Sequence, residues 1–592
     1  MWQLHIVFIT YTASFLARLI MKKITILLFT FLFSYTINGQ IEQATTNVNQ
    51  LSLIPNEHAV LHTNTELVLV GEYLYYKLFI FSEDKPSSIS QIAYVELIDA
   101  DNTAIIKHEL QIKNNSANNN IFIPSELKTG NYKLLAYTNW SKNDTKRGLF
   151  VKDICVVNPF SSTFQSLKDS SKTINIIKAN ALNQKHSKND NVTIKTSKKN
   201  YSTREVLTLD ILGNDKIKNG NYSLSIKKLD SIIIENNSSQ AYAFPDTSSS
   251  IYIPEMRGKL IVGKLSNLKD KSDVNNKSVA LSIANKNYIF KIAQTNASGQ
   301  FFFNIDSVLN DQEITLQVVE ENNADFKIEL SNTETTNYKD LVFKDLDIDS
   351  GLKHALEQRN IKTQIENAYF ENKPVNIREK VKSDPFFYNT GRTYILDDYT
   401  RFKTVRETFI ELIPEAGLRK EADNYRIIVY EDDAARENNT LTNLKPLIVV
   451  DGLMIQDNND LVNYNPKKIE SITIVKGNYI YGANLFQGVI AVSTFLQDFK
   501  TSSKGDFIIN TNLNIYKNTK IYYQPDYEDT DKLKYVPDYR QQLLWDPNVT
   551  LASNSETFKT YTSDDKGTYE IIFEGYTKDG EYINANQYFE VD

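Results

Sequence analysis

Short runs in which apolar and polar residues alternate recur along most of the chain, and this period-two pattern constrains the fold more than any other feature. It is clear in Glu72–Phe81, Ala93–Ile98 and Tyr132–Tyr137, which are rich in tyrosine, isoleucine, valine and phenylalanine. Polar clusters such as Asn114–Asn120 separate the runs. Strands of this length at this spacing predict tandem β-sandwiches.

Length, charge and cysteine content exclude several classes of protein. The 592 residues are enough for roughly four domains, and a hydrophobic content of 41% excludes a disordered chain. A net charge of -7 gives no general electrostatic basis for binding nucleic acid. The single cysteine, Cys155, excludes an intramolecular disulfide, a redox pair and a thiolate-rich zinc site. We expect Cys155 to be a small buried strand residue.

The first residues have the pattern of a targeting segment. Met21 and two lysines precede the apolar run Ile24–Ile37, and this arrangement predicts a signal peptide at residues 1–39 with Met21 as its true start. The alternative is a transmembrane helical hairpin, but each apolar run is shorter than the roughly 20 residues that a span requires. We therefore expect an exported protein, outer-membrane associated, periplasmic or on the cell surface, with no membrane span of its own after signal removal.

The mature chain divides into seven predicted segments, and the expected fold is mostly β. They are a first β-sandwich at 40–158, a linker at 159–185, a second β domain at 186–250, a third β-sandwich at 251–345, a helical connector at 346–384, a small α+β domain at 385–502 and a last β-sandwich at 503–592. Apolar spacing predicts a helix over Gly351–Phe370. Thr404 and Glu407 form a capping box that predicts the start of a second helix.

The first two β domains resemble macroglobulin-type domains. Val60–Glu72 and Leu127–Trp140 are similar to the second such domain (MG2-like) of α2-macroglobulin-like proteins, and Ser197–Glu205 is similar to the next one. Protease-trapping members of that family form a thioester between a cysteine and a glutamine in a C-x-E-Q context. Because Cys155 lies in the sequence Asp-Ile-Cys-Val-Val, the resemblance does not extend to that chemistry.

The later domains resemble two other families. Lys259–Leu265 and Thr295–Asn304 are similar to a carboxypeptidase-regulatory, transthyretin-like β-sandwich, which is non-catalytic. Pro446–Ile455, with Asp451-Gly452 as a hairpin signal, and Asn465–Gly477 resemble the plug domain of TonB-dependent receptors. Such a receptor also has a barrel of about 22 strands, for which the residues after 502 are too few. The whole order resembles exported multidomain proteins of Bacteroidota that lack a barrel.

The chain contains none of the common catalytic motifs. There is no G-x-S-x-G, P-loop, H-E-x-x-H or G-x-G-x-x-G. We therefore expect no enzymatic activity, no catalytic or metal residues and no cofactor. The alternating carboxylates of Asp345–Asp349 are a candidate calcium loop, but the required Gly and Glu positions are missing. The favoured alternative is an acidic approach to the next helix, which its dipole stabilises.

Two further groups of residues have both a functional and a structural interpretation. His58 and His62 are four residues apart, but that spacing does not bring their rings together in extended chain. Tyr73, Tyr75, Tyr76 and Tyr94 are a candidate platform for carbohydrate or peptide. Because alternate positions of a sandwich strand are buried, we expect about half of these tyrosines to lie in the core.

These observations leave three hypotheses. The first is a non-enzymatic exported scaffold of the outer membrane or periplasm, which binds envelope proteins through its plug-like and sandwich modules. The second is an accessory of TonB-dependent uptake that works with a separate outer-membrane barrel. The third, least favoured, is a hydrolase whose site is assembled across domains.

Overall fold

The structure is a computed structural model, and it describes most of the chain from residue 54 onward. The described residues are 54–161, 174–179, 189–229, 232–235, 239–243, 252–284, 288–306, 312–331, 338, 341–373, 376–377, 385–388, 390–422, 424–430, 444–513, 515–516, 520–528 and 533–592. The predicted signal peptide, 1–39, lies outside the described residues. Among the described residues, no helix is long and apolar enough to cross a membrane.

The first β-sandwich contains nine strands. These are β1 (Glu57–Thr63), β2 (Leu67–Leu69), β3 (Tyr73–Ser82), β4 (Lys85–Pro86), β5 (Ile92–Ile98), β6 (Ala104–Gln111), β7 (Ser116–Phe122), β8 (Gly130–Tyr137) and β9 (Leu149–Val157). One sheet places β3 between β1 and β7, and the other runs β9-β8-β5-β6 with β2 parallel to β9. Apolar residues from both sheets form one core between them. Cys155 is buried on β9, which confirms the prediction made for it.

The chain then forms seven strands that belong to four different sheets. These are β10 (Ile174–Ala179), β11 (Val192–Thr196), β12 (Asn200–Tyr201), β13 (Val206–Gly213), β14 (Asn221–Lys228), β15 (Ile232–Glu235) and β16 (Ser239–Tyr242). β10 pairs with β15, and β16 pairs with β9 of the first sandwich. The predicted linker at 159–185 therefore contains a paired strand.

The third β-sandwich packs against the first. Its strands are β17 (Lys259–Asn267), β18 (Ser278–Ile283), β19 (Ile289–Gln294), β20 (Gln300–Ile305), β21 (Gln312–Val318) and β22 (Phe326–Leu330). They form the sheets β20-β17-β22 and β19-β18-β21. Tyr94 and Leu135, from the outer face of the β9-β8-β5-β6 sheet, belong to the core of this third sandwich. Every residue of β5 is buried as a result, because both faces of its sheet are covered.

A helical connector follows. It contains β23 (Asp345–Ile348), α1 (Lys353–Ala368) and β24 (Asn376–Ile377). β23 lies parallel to β10. Leu352 and Leu356 pack with Leu69 and Cys155 of the first sandwich, so α1 is attached to that sandwich by its amino-terminal turns.

The α+β module has one five-stranded sheet and a separate hairpin. Its elements are β25 (Arg392–Ile395), α2 (Val405–Leu412), β26 (Ala416–Glu421), β27 (Asn424–Val429), β28 (Leu447–Val450), β29 (Leu453–Met454), α3 (Asn458–Val462), β30 (Ile469–Tyr481) and β31 (Asn484–Thr494). The sheet order is β25-β30-β31-β28-β29, and β26 pairs with β27. Asp451 and Gly452 adopt φ of 50° and 87° between β28 and β29, which confirms the predicted hairpin.

The capping box of α2 is only half formed. The Thr404 hydroxyl accepts a hydrogen bond of 3.1 Å from the backbone N–H of Glu407, as predicted. The carboxylate of Glu407 instead accepts from the backbone N–H of Lys403, at 3.0 Å. One hydrogen bond of the box therefore forms as the sequence predicts, and the reciprocal one is shifted by a residue.

The remaining chain returns across the other modules. Its strands are β32 (Ile508–Leu513), β33 (Ile515–Tyr516), β34 (Lys520–Ile521), β35 (Gln542–Val549), β36 (Ser555–Tyr561), β37 (Gly567–Tyr576) and β38 (Tyr582–Val591). β32 extends the third sandwich beside β21, β33 lies parallel to β6, and β34 pairs with β24. This return segment therefore contacts three modules before it reaches its own.

The second sandwich is discontinuous in sequence. Its sheets run β11-β13-β36 and β12-β38-β37-β14-β35, so each mixes strands from before and after the third sandwich and the α+β module. Leu209, Leu224, Phe573 and Phe589 share one core. The structure thus corrects the division into separate domains at 186–250 and 503–592: each range supplies half of one sandwich, since neither half alone covers its own apolar face.

Candidate functional site: a cavity between modules

A cavity of about 700 Å³ lies where the first sandwich, the second sandwich, α1 and the return segment meet. Its walls come from the turns around β2, from α1, from β15, and from the ends of β34 and β35. These elements are far apart in sequence. The volume lies in the range typical of small-ligand and peptide side-chain sites.

Aromatic rings form one side of the cavity. The ring of Tyr75 lies edge-on to that of Tyr522, with centroids 5.3 Å apart, and 5.9 Å from the ring of Trp545. Tyr73 follows at 6.1 Å from Tyr75. Burial raises the pKa of the Tyr75 and Tyr522 hydroxyls, so both stay neutral at physiological pH.

The polar atoms behind this aromatic side are enclosed. The Tyr522 hydroxyl and the Trp545 indole nitrogen are both buried and make no hydrogen bond of ordinary geometry with the described residues. The indole N–H nevertheless lies near enough to the Tyr522 hydroxyl to oppose, in part, the rise in its pKa. Both side chains therefore present mainly ring surface to the cavity.

Ion pairs anchor α1 at the cavity wall. Arg359 donates two hydrogen bonds of 2.7 Å to the carboxylate of Glu72. Lys373, just beyond the helix, donates at 2.7 Å to Glu366, whose other carboxylate oxygen accepts from the backbone N–H of Tyr539 at 2.6 Å. Burial raises the pKa of Glu366, and the nearby Lys373 ammonium opposes that rise.

The second sandwich contributes two more sets of ion pairs. Lys228 and Lys362 both contact Asp565, at 2.5 Å and 2.7 Å. Arg540 binds the carboxylate of Asp538 with two hydrogen bonds, of 2.7 Å and 2.8 Å. Because these cations already have anionic partners, they fix the walls rather than offer free charge.

Lys520 differs from the four cavity cations that pair with carboxylates, Lys228, Arg359, Lys373 and Arg540. Its ammonium donates a hydrogen bond to the side-chain oxygen of Asn120 and lies 5.6 Å from the centre of the Tyr522 ring. Among the described residues, no carboxylate comes within ion-pair distance of Lys520. Burial lowers the pKa of its ammonium group. A positive charge on Lys520 is therefore not paired with any carboxylate of the described residues.

The candidate tyrosines divide as the alternation predicts. Tyr73 and Tyr75 line the cavity, whereas Tyr76 and Tyr94 are buried elsewhere. The hydroxyl of Tyr76 bonds to His108 at 2.7 Å, and that of Tyr94 donates to Glu255 at 2.7 Å. The structure brings half of the predicted platform to the cavity and places the other half in polar contacts within the core.

The other candidate residues have structural partners. Asp349 accepts a hydrogen bond of 2.9 Å from the backbone N–H of Gly351, at the approach to α1. His58 and His62 lie on β1 and contact the rings of Phe81 and Phe79. In the described part of the chain, no group of three or more His, Cys, Asp or Glu side chains is placed to hold a metal ion.

Comparisons with known proteins give only weak similarities. No protein-family model matches the chain, and no curated protein matches it either. Salmonella alpha-2-macroglobulin aligns with 90% of this chain and 39% of its own, at 10% identity and a TM-score of 0.23. The native Escherichia coli alpha-2-macroglobulin aligns with 91% of this chain and 40% of its own, at 8% identity and a TM-score of 0.23.

A tandem repeat from the extending region of a large adhesion protein also aligns, over 90% of this chain, at 8% identity and a TM-score of 0.13. The chain spans about two fifths of the length of the macroglobulins that it matches. At these scores the similarities assign neither a family nor an activity. What the fold and the cavity define is a multidomain protein, mostly β, with tandem β-sandwiches.

Proposed function

We propose that this chain is a non-enzymatic binding and scaffold protein that is exported to the outer membrane or periplasm. Its plug-like α+β module and its sandwiches would contact envelope proteins, and the firmly packed modules would hold those contacts at fixed spacing. A broad panel of hydrolase substrates tests the non-enzymatic part of the proposal, because sustained turnover by the purified chain contradicts it.

The observation that carries this proposal is exposed apolar surface on the β30–β31 hairpin. Ile480 and Leu485 are directly opposite each other on the two strands, and their side chains share the outward face of the hairpin. Ile480 is 73% exposed. On the opposite face, Tyr479 and Tyr481 pack with Phe386. We take this outward apolar pair, on a hairpin supported from its other face, as the candidate protein-binding surface.

Cross-linking mass spectrometry on intact cells tests the scaffold role. We expect cross-links from the α+β module to an envelope protein, and we expect Ile480→Asp to reduce them several-fold. Leu268→Asp is the matched control, since Leu268 is also exposed but lies on the third sandwich. Absence of any envelope partner, or equal loss with both variants, contradicts the proposal.

A second candidate function is that of an accessory in TonB-dependent uptake, with a separate barrel. The five-stranded sheet of the α+β module, with its Asp451-Gly452 hairpin, is compatible with the plug resemblance of its sequence. Deletion of the gene would then abolish growth on one nutrient. Unchanged growth across a nutrient panel, with a non-barrel partner in the cross-links, favours the scaffold.

A further inference from the structure

We propose that the cavity binds a short segment of a partner protein in which a carboxylate side chain lies next to an apolar one. The carboxylate would pair with Lys520, and the apolar side chain would pack on the aliphatic wall formed by Leu229, Ile232 and Ile234. This inference rests on the proposed scaffold function, and it specifies which side chains of a partner protein the cavity would bind.

The charge of the cavity favours an anion at one position. The ammonium of Lys520 contacts a neutral amide oxygen, on Asn120, and the face of an aromatic ring. Carboxylates of the protein already pair with four other cations of the cavity: Lys228, Arg359, Lys373 and Arg540. Lys227, the remaining cation of the lining, donates to the main-chain oxygen of Asn64 at 2.7 Å. A bound carboxylate can therefore pair with Lys520, where a charge-assisted hydrogen bond replaces one to an amide.

The aliphatic wall supplies a place for the neighbouring side chain. Leu229, Ile232 and Ile234 line the cavity and are each half-buried. Phe370, at the end of α1, also lines it and is 49% exposed. Covering these groups removes apolar surface from water, which favours a leucine or phenylalanine side chain on the ligand.

The amide side chains of the cavity argue for a peptide and against a sugar. Asn64 donates to Gln542 at 2.9 Å and accepts from the backbone N–H of Tyr75 at 3.0 Å. Gln542 donates in turn to the main-chain oxygen of Leu544 at 2.6 Å. Saccharide hydroxyls would compete for these bonded amides, whereas an apolar side chain and a carboxylate leave them intact.

The test is a titration of the full mature chain with fluorescein-labelled peptides. Each peptide carries one Asp and one Leu or Phe in a Gly/Ser background, and the number of residues between these two varies across the series. A matched series carries Asn in place of Asp. We expect saturable binding of at least one Asp peptide and binding weaker by roughly tenfold or more for its Asn counterpart. Oligogalacturonate, a carbohydrate that also carries carboxylates, is titrated in the same way to test whether the cavity prefers a sugar.

Two variants locate the binding. Lys520→Gln keeps a hydrogen-bond donor for Asn120 but removes the positive charge. We therefore expect this variant to bind the Asp peptide roughly tenfold more weakly and to bind the Asn peptide with unchanged affinity. Phe370→Ala, at a half-exposed position, should weaken both peptides about threefold or more. Lys195→Gln is the control, because Lys195 is an exposed lysine of β11.

Three results overturn the inference. They are no saturable binding of any Asp peptide, equal binding of that peptide by the Lys520→Gln variant, and tighter binding of oligogalacturonate than of every peptide. If cross-linking still recovers an envelope partner after any of these, the scaffold function stands and only the cavity assignment fails.

Discussion

Lys77 of the first sandwich donates a hydrogen bond of 2.5 Å to the main-chain oxygen of Pro547 in the second sandwich. The same ammonium donates to the main-chain oxygen of Tyr222 at 2.8 Å and to the side chain of Asn221. This fully buried group therefore joins β3 to β14 and β35 at once. Burial lowers its pKa to about 7.

The lowered pKa predicts a pH-dependent stability. Between pH 7 and 10 the unfolded chain keeps the Lys77 proton while the folded chain has lost it, so the free energy of unfolding rises with pH. The gain is of order 3–4 kcal/mol. Urea unfolding of the wild type and of Lys77→Met at pH 7 and pH 10 measures this gain. The free energy of unfolding of the wild type, relative to that of Lys77→Met, should rise between the two pH values. A constant difference would show that Lys77 does not titrate in this range.

His108 predicts a loss of stability on the acid side. Burial lowers its pKa to about 4, and its ring bonds to the hydroxyl of Tyr76. As the pH falls from 6.5 to 4, His108 becomes protonated in the unfolded chain but stays mostly neutral in the folded chain. About 3 kcal/mol of the free energy of unfolding is lost over this range. His108→Gln should flatten that part of the pH profile.

The pair formed by Glu72 and Arg359 predicts a large mutational effect. Both side chains are mostly buried, so Glu72→Gln leaves the guanidinium without its anion and should destabilise the chain by about 3 kcal/mol or more. Glu357→Gln is the matched control on α1, where an exposed pair with Lys353 at 4.0 Å predicts a change within about 0.5 kcal/mol. Equal unfolding midpoints for the two variants would contradict the anchoring role of Glu72.

The discontinuous sandwich predicts a long-range effect. The ring of Phe573 lies 4.7 Å from that of Tyr222 and is fully buried. Phe573→Ala should cost about 3–5 kcal/mol. Hydrogen exchange should then show lost protection in β13 and β14, with β3 and β5 of the first sandwich unaffected. Tyr582→Ala, at an exposed site of β38, should change the protection little. Protection that is lost only within 542–592 would show that the two halves fold independently.

The sequence predicts the elements better than their pairing. Alternation identifies β3, β5 and β8, and helix periodicity identifies α1, because these patterns are local. The partner of Leu209 is Phe558, and nothing within either strand encodes that pairing. The alternation of apolar and polar residues likewise does not predict the full burial of β5, because another module covers the second face of this strand.

The cavity shows the same limit. Tyr73 and Tyr75 are identified by their position in an aromatic strand. Lys520, Tyr522 and Trp545 stand in ordinary strand-like sequence, and the fold brings them to the same cavity as Tyr75. Tyr522 and Trp545 contact Tyr75, and Lys520 contacts Asn120, across 400 or more positions of sequence, which local patterning does not encode.

The arrangement of the second sandwich has a consequence for biogenesis. β14 emerges from the ribosome about 310 residues before β35, the neighbour that it pairs with. Throughout that interval the apolar faces of β13 and β14 have no cover of their own. A holding chaperone that bound these faces would protect them until the later strands were complete. A chain that terminated early would contain only half of this sandwich, and its exposed apolar face would make it a substrate for proteases.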